Sequence, residues 1–76
     1  MAIAYVLLNS DLGQDSQVES SLKNIAEAKE VYRVYGVYDF IVKIEMETMS
    51  ELKDIITDKI RLIRNIRSSL TMIVVE

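Results

Sequence analysis

One stretch of this sequence, residues 31–46, restricts the possible folds more than any other. It reads as a strand, a tight turn at Gly36 and a second strand. From residue 40 onward two sets of positions alternate: Phe40, Val42, Ile44 and Met46 on one side, and Ile41, Lys43 and Glu45 on the other. This period of two is typical of a strand with one buried face. The stretch therefore predicts a β-hairpin, around which we interpret the rest of the chain.

The segment before the hairpin predicts a strand and then a helix. Residues 2–8 form a continuous apolar run, which favours a strand covered on both faces. Ser16 and Glu19 have the spacing of a capping box, in which the two side chains satisfy free amides of the first helical turn. An apolar stripe follows, and we expect this helix to end near Lys29.

The segment after the hairpin repeats the pattern. Thr48 and Glu51 have the same capping-box spacing, and an apolar stripe follows them. Asn65 stands where a helix end often needs a left-handed residue, a conformation that asparagine tolerates. A last strand is expected from residue 66 to residue 75.

This order of elements predicts an α+β, ferredoxin-like βαββαβ fold with a four-stranded antiparallel sheet. The first and third strands should be central, and the two helices can cover only one face of the sheet. The first strand is nevertheless apolar on both faces, and near the end of the last strand both sides are apolar. We therefore infer that a second copy of the chain covers the open face, sheet against sheet, in a dimeric α/β-barrel-type assembly.

The composition supports a single small domain over residues 1–76 that is stabilised by oligomerisation. The 76 residues include no cysteine and no histidine, which excludes disulfides and thiolate or imidazole metal sites. No cofactor is indicated. The apolar N-terminal run has no basic start and is too short for a signal-peptide core or a membrane span. With no signal visible, we expect the cytoplasm as the default location.

Charge argues against direct binding to nucleic acid, which requires a basic face, because the formal net charge is −3. Four bases do cluster, and we interpret them as the solvated end of the second helix: Lys59, Arg61, Arg64 and Arg67.

No catalytic constellation is visible, and we expect no enzyme activity. Histidine and cysteine are missing, and Glu45 and Glu47 are better explained as solvent-facing charges at a strand end. Two polar places remain. One is the turn 36–39, whose amides and Asp39 carboxylate could bind a small zwitterion, unless Asp39 simply stabilises its own turn. The other is the hydroxyl pair Ser69 and Thr71, which could equally be a sheet-edge pair.

At these two places the chain resembles the effector-sensing module of the Lrp/AsnC transcription regulators, the regulation-of-amino-acid-metabolism module. The run V-Y-R-V-Y-G-V-Y-D-F-I-V-K-I-E is similar to that family's strand, Gly-x-Tyr-Asp turn and apolar strand. The segment from Ile56 onward is similar to its second helix and T-x-T-x-x-V strand. Arg64-Asn65 stands where the family usually has Pro-Gly, and Ser69 replaces the first threonine of the T-x-T pair.

The resemblance implies a sensing module that binds a small effector, usually an amino acid, and forms a homodimer that can extend to an octamer. It implies an effector pocket between dimers, formed by the turn and the T-x-T strand: Gly36, Val37, Tyr38, Asp39, Ser69 and Thr71. Full-length members carry a helix-turn-helix DNA-binding domain before this module. We expect this chain to be the stand-alone form, acting through a full-length regulator or a metabolic enzyme.

Two other classes share this order of elements. An RNA-recognition domain would need a Lys/Arg-Gly-aromatic run on its third strand and a basic surface, and the sequence has neither. A small dimeric α/β-barrel enzyme would need a polar acid–base cavity between sheet and helices. It remains the alternative to a sensing module.

Overall fold

The computed structural model describes residues 1–75, and its elements follow the predicted order. The elements are β1 (Ala2–Ser10), α1 (Asp15–Lys23), β2 (Ala28–Arg33), β3 (Phe40–Met46), α2 (Met49–Ile55), a π-helical segment (Ile56–Ile60) and β4 (Ile66–Ile73). The strands form one antiparallel sheet in the order β2-β3-β1-β4. The ferredoxin-like βαββαβ fold with β1 and β3 in the centre is therefore confirmed. Within the described residues, no helix is long and apolar enough to cross a membrane.

The hydrophobic core lies between the sheet and the two helices. Every second residue of β1 and of β3 points into it, as the alternation of β3 predicts. The largest fully buried side chains are Phe40, Leu8, Leu22, Ile44, Leu52 and Ile60. We call this side of the sheet the helix face, and the opposite side the outer face.

The first helix is shorter than the sequence predicts. It begins at Asp15, and Gln14 before it makes no side-chain cap bond, so the predicted capping box of Ser16 is wrong. The predicted end near Lys29 is also wrong, because the chain leaves the helix at Asn24 and β2 begins at Ala28. Ile25 still packs against the core, but from a turn rather than from a helix.

The second helical region has the predicted cap and an unpredicted change of pitch. The Thr48 hydroxyl accepts a hydrogen bond from the Glu51 amide at 3.2 Å, which confirms this cap. The α-helix then widens into the π-helical segment, in which the Arg61 amide donates to the Ile56 carbonyl at 3.0 Å. Asn65 has a φ of 70°, as predicted.

The hairpin turn is wider than the tight turn that the sequence predicts. Residues 34–39 connect β2 to β3, and the Val34 amide donates to the Asp39 carbonyl at 2.9 Å. Gly36 has a φ of 145°, which L side chains rarely adopt, so a glycine is favoured there even though the space around it is open.

The outer face is apolar and has no covering layer among the described residues. The register places Tyr5 opposite Met72 and Leu7 opposite Leu70. Four large side chains on this face remain between about a third and a half exposed: Tyr32 at 52%, Met72 at 48%, Leu70 at 46% and Val74 at 36%. The strand predicted to end at residue 75 ends at Ile73, although the Val74 amide still donates to the Ile3 carbonyl at 2.9 Å.

Candidate functional site

Asp39 ties the hairpin turn to the end of β1. Its Oδ2 accepts hydrogen bonds from the Ser10 amide at 3.0 Å and from the Ser10 hydroxyl at 3.3 Å. The Asp39 amide donates to the Leu8 carbonyl at 2.9 Å. The carboxylate therefore holds two strand ends together, whereas the sequence alternative had it bonding its own turn.

A charged network extends from this point to the first helix. The Ser10 hydroxyl also lies 2.9 Å from Asp15 Oδ1, so its single proton is shared between two carboxylates. Arg33 pairs with Asp15 at 2.9 Å and with Glu19 at 3.5 Å. The Ser10 hydroxyl and then the Arg33 guanidinium lower the pKa of Asp15 below its ordinary value.

The network lines a cavity, the turn cavity, of about 370 Å³. Its lining residues are Asp15, Arg33, Val34, Tyr35 and Asp39. Of the predicted turn residues only Asp39 lines it, while Val37 is 83% exposed. Gly36 and Tyr38 lie beside the turn cavity without lining it. Two carboxylates, those of Asp15 and Asp39, and one guanidinium, that of Arg33, therefore line the same cavity.

Arg33 was not among the site residues predicted from the sequence. A signal for it was present, since the period of two along β2 places it on the same side as Val31, one residue before the turn. Its guanidinium also lies 5.9 Å from the centre of the Phe40 ring, a cation–π distance.

Ser69 and Thr71 lie on the helix face of β4, which β1 separates from β3 and from the turn before it. The register pairs Ser69 with Leu8 and Thr71 with Val6. Ser69 lines a cavity of about 260 Å³ together with Leu8, Ile60, Arg61, Ile63, Ile66, Arg67 and Ser68. Thr71 lines a second one, the β4 cavity, of about 320 Å³, together with Lys53, Ile56, Thr57, Arg61 and Ile73.

One chain does not bring the two predicted polar places into one pocket. Strand β1 lies between β3 and β4, and neighbouring strands are about 4.8 Å apart. The turn cavity shares no lining residue with either cavity beside β4. None of these three cavities contains Asp39 together with Ser69 or Thr71.

Metal binding finds no support in the described part of the chain. Among residues 1–75, no three histidine, cysteine, aspartate or glutamate side chains come close enough to hold a metal ion.

Comparison with known proteins places these features in a family. Residues 3–76 match the family described as the Lrp/AsnC ligand binding domain. The HTH-type transcriptional regulator FL11 of Pyrococcus furiosus is 34% identical over 74 residues, which cover 97% of this chain and 48% of the regulator. The chain thus spans about half the length of the curated relatives it matches.

Two solved structures are similar over almost their whole length. The crystal structure of FFRP-DM1 is 40% identical, with a TM-score of 0.91, covering 99% of this chain and 100% of that one. The crystal structure of the hypothetical protein PHS023 from Pyrococcus horikoshii is 39% identical, with a TM-score of 0.90, covering 100% and 92%.

Proposed function

The chain belongs to the family of Lrp/AsnC ligand-binding domains, and from this premise we propose that it senses a small amino acid and oligomerises to form the binding site. The family is one of transcription regulators and is not enzymatic. The prediction that the chain is not an enzyme is therefore confirmed, and the dimeric α/β-barrel enzyme is set aside.

The turn cavity carries this proposal. The Asp39 carboxylate lines a cavity of about 370 Å³, a size at the lower end of the range for small-molecule sites. In our proposal Asp39 binds the ammonium group of the amino acid, and the turn amides near Gly36, with Val37 and Tyr38, bind its carboxylate. Arg33 lines the same cavity, where it is paired with Asp15 at 2.9 Å, and its remaining N–H groups can donate to that carboxylate.

The hydroxyls of the site would come from a neighbouring protomer. Ser69 and Thr71 lie beyond β1 from the turn of their own chain, and neither of them lines the turn cavity. This separation supports a site between protomers.

The assembly in this proposal is a homodimer that extends to an octamer, located in the cytoplasm. The exposed apolar side chains of the outer face support the dimer, since they are the surface that a second sheet would cover. A full-length Lrp/AsnC regulator or a metabolic enzyme would transmit the signal, and the chain would not bind DNA by itself. A gel-shift experiment that showed sequence-selective DNA binding at physiological salt by this chain would contradict that last point.

A thermal-shift screen over the common amino acids tests the proposal first. A ligand present at a hundred times its dissociation constant should stabilise the fold by about 2.7 kcal/mol. Calorimetry on variants then tests the site. Asp39→Ala should lose a charge-assisted contact of about 1.5–3 kcal/mol, equal to about a ten- to hundredfold loss of affinity.

Asp54→Ala is the matched control, because Asp54 is an exposed aspartate that lines none of the cavities described above. A double variant, Ser69→Ala with Thr71→Val, tests the hydroxyls from the other side of the proposed interface. Unchanged affinity in Asp39→Ala and in the double variant, with normal assembly of both, would contradict the proposed site.

A further inference from the structure

The β4 cavity has a chemistry of its own that an amino acid zwitterion does not use. Lys53, Thr57 and Arg61 follow one another at intervals of four residues, in α2, in the π-helical segment and at the residue directly after it. All three line the cavity from the helix side, and Thr71 and Ile73 line it from β4. Two cationic side chains and two hydroxyls therefore surround one space of about 320 Å³.

The two cations of this cavity have no acidic partner in the described part of the chain. Four other basic side chains pair with carboxylates, for example Lys59 with Glu27 at 3.0 Å and Arg33 with Asp15 at 2.9 Å. The exposed Lys29, Arg64 and Arg67 form no ion pair within residues 1–75 either, but they do not line this cavity. Neither Lys53 nor Arg61 forms an ion pair within residues 1–75. No carboxylate lines the cavity, which sets it apart from the turn cavity.

The rest of the lining is apolar. It consists of Ile56, which is 6% exposed, and Ile73, which is 37% exposed. The π-helical bond from the Arg61 amide to the Ile56 carbonyl places these two residues at the same widened turn, and π-helical turns are frequent at functional sites.

We propose that the β4 cavity binds a small aliphatic carboxylate without an ammonium group. The carboxylate pairs with Arg61 in a bidentate geometry and with Lys53, the Thr57 and Thr71 hydroxyls donate to its oxygens, and the aliphatic part packs on Ile56 and Ile73. A cavity with two cations and no carboxylate repels an ammonium group. This ligand class is therefore different from the zwitterion proposed for the turn cavity. The single proton of a given Thr71 hydroxyl can be donated to only one of the two ligands.

Methyl NMR on the full chain tests this site with a defined pair of probes. The probes are 2-oxoisovalerate and L-valine, which have the same carbon skeleton and differ in the ammonium group. The Ile56 and Ile73 methyls report on the β4 cavity, and the Val34 methyls report on the turn cavity. We expect saturable shifts of Ile56 and Ile73 with 2-oxoisovalerate, and an affinity for L-valine at those methyls at least about tenfold weaker, a difference of about 1.4 kcal/mol.

Two charge variants distinguish binding at a defined site from nonspecific attraction of the anion to a positively charged surface. Arg61→Gln should weaken 2-oxoisovalerate binding about tenfold, equal to about 1.4 kcal/mol. Arg64→Gln removes the same charge from an exposed position that lines none of the cavities described, and it should leave binding unchanged. Sedimentation of both variants checks that assembly is the same as in the unmodified chain.

Several results would overturn the inference. They are an absence of Ile56 and Ile73 shifts at millimolar 2-oxoisovalerate, equal binding of the two probes at those methyls, or an equal loss of affinity in both charge variants. L-valine that shifts only Val34, with no response of the β4 cavity to either probe, would overturn this inference and support amino acid sensing at the turn. Shifts of Ile56 and Ile73 by 2-oxoisovalerate in a chain that binds no amino acid would support this site and contradict the proposed function.

Discussion

The two faces of the sheet are both apolar, but the chain closes only one of them. On the helix face, Val6 and Phe40 are fully buried. On the outer face, Leu70 and Met72 keep nearly half of their surface exposed. The difference shows that the sequence has more apolar surface than its two helices can cover, which is the expected condition of a small domain that is completed by association.

The polar networks of the two faces also differ in the elements that they connect. At the edge of the helix face, Arg33 connects β2 to Asp15 and Glu19 of α1, so charges join two layers of the fold. On the outer face, Glu30 bonds to the Tyr32 hydroxyl and pairs with Lys43 at 3.5 Å, all within the sheet. The first network fixes a helix to the sheet, and the second one leaves its face open to a partner.

The largest effect on stability is expected from a substitution in the core between the helix face and the two helices. Phe40→Ala should lower the free energy of unfolding by about 3–5 kcal/mol, because it leaves a cavity in the packed core. Urea denaturation followed by circular dichroism measures this change. Tyr35→Ala is the control, since Tyr35 is fully exposed and its removal should change stability by less than about 0.5 kcal/mol. A Phe40→Ala protein as stable as the control would mean that the core is not where the structure places it.

The next effect concerns the open face and separates assembly from folding. If a second sheet buries Leu70, then Leu70→Lys should weaken association by about 1.5–3 kcal/mol per side chain and also introduce a buried charge. Sedimentation at low micromolar concentration should show dissociation. Leu12→Lys, at a 99% exposed loop position, makes the same change of charge without touching the sheet. A stable folded monomer of the unmodified chain at this concentration would refute the dimer.

A smaller effect is expected where the turn closes the edge of the helix face. Asp39→Ala removes the acceptor of the Ser10 amide and hydroxyl, which should cost about 1–3 kcal/mol of unfolding free energy. Asp39→Asn keeps an acceptor oxygen and should cost less. Urea denaturation measures the stability of both variants. If both were as stable as the unmodified chain, the structural role of Asp39 would be contradicted.

The smallest expected effect is a difference in pH dependence between the two faces. The pKa of Asp15 is lowered by the Ser10 hydroxyl and Arg33, and that of Glu30 by the Tyr32 hydroxyl, with a smaller contribution from Lys43. A carboxyl with a lowered folded-state pKa stabilises the fold above its ordinary pKa, and that stability is lost as the pH falls through the lowered value.

Stability should therefore decline as the pH drops below the ordinary values of 3.8 for Asp15 and 4.5 for Glu30. Asp15→Asn should flatten the pH profile of unfolding. Glu30→Gln should also change the pH profile of association, because Glu30 lies on the face that the proposed dimer covers. Identical pH profiles of association for the two variants would remove this distinction between the faces.

The sequence predicts best those features that depend on local patterns. The alternation along β3, the Thr48 cap and the left-handed Asn65 are all confirmed, because each is decided by a few neighbouring residues. The Ser16 cap has the same spacing as the Thr48 cap and is wrong, because Asp15 already belongs to the helix and its side chain is engaged by Ser10 and Arg33. Spacing alone cannot distinguish these two cases.

The remaining features depend on contacts between distant segments. Ile25 fits a helical stripe, yet it reaches the core from a turn, and both conformations satisfy the same apolar pattern. The period of two predicts that Ser69 and Thr71 share a face of β4. It cannot predict that Arg61 lines both the cavity beside Ser69 and the cavity beside Thr71, because this depends on how the second helical region packs on β4. The cluster of bases predicted as a solvated helix end therefore divides, with Lys59 paired to Glu27 and Arg61 directed to a cavity.

The π-helical segment Ile56–Ile60 should make this part of the chain tolerant of a one-residue deletion. A π-helical turn is a widened turn that holds one residue more than the α-helical turn, which has 3.6 residues. Deletion of the exposed Asp58 would let the turn close as an α-helix while Ile60 and Arg61 kept nearly the same direction. The same deletion inside α1 would rotate every later side chain by about 100° and remove Leu22 from the core. A one-residue gap in an alignment with relatives should therefore be tolerated at this turn, and not in the first helix.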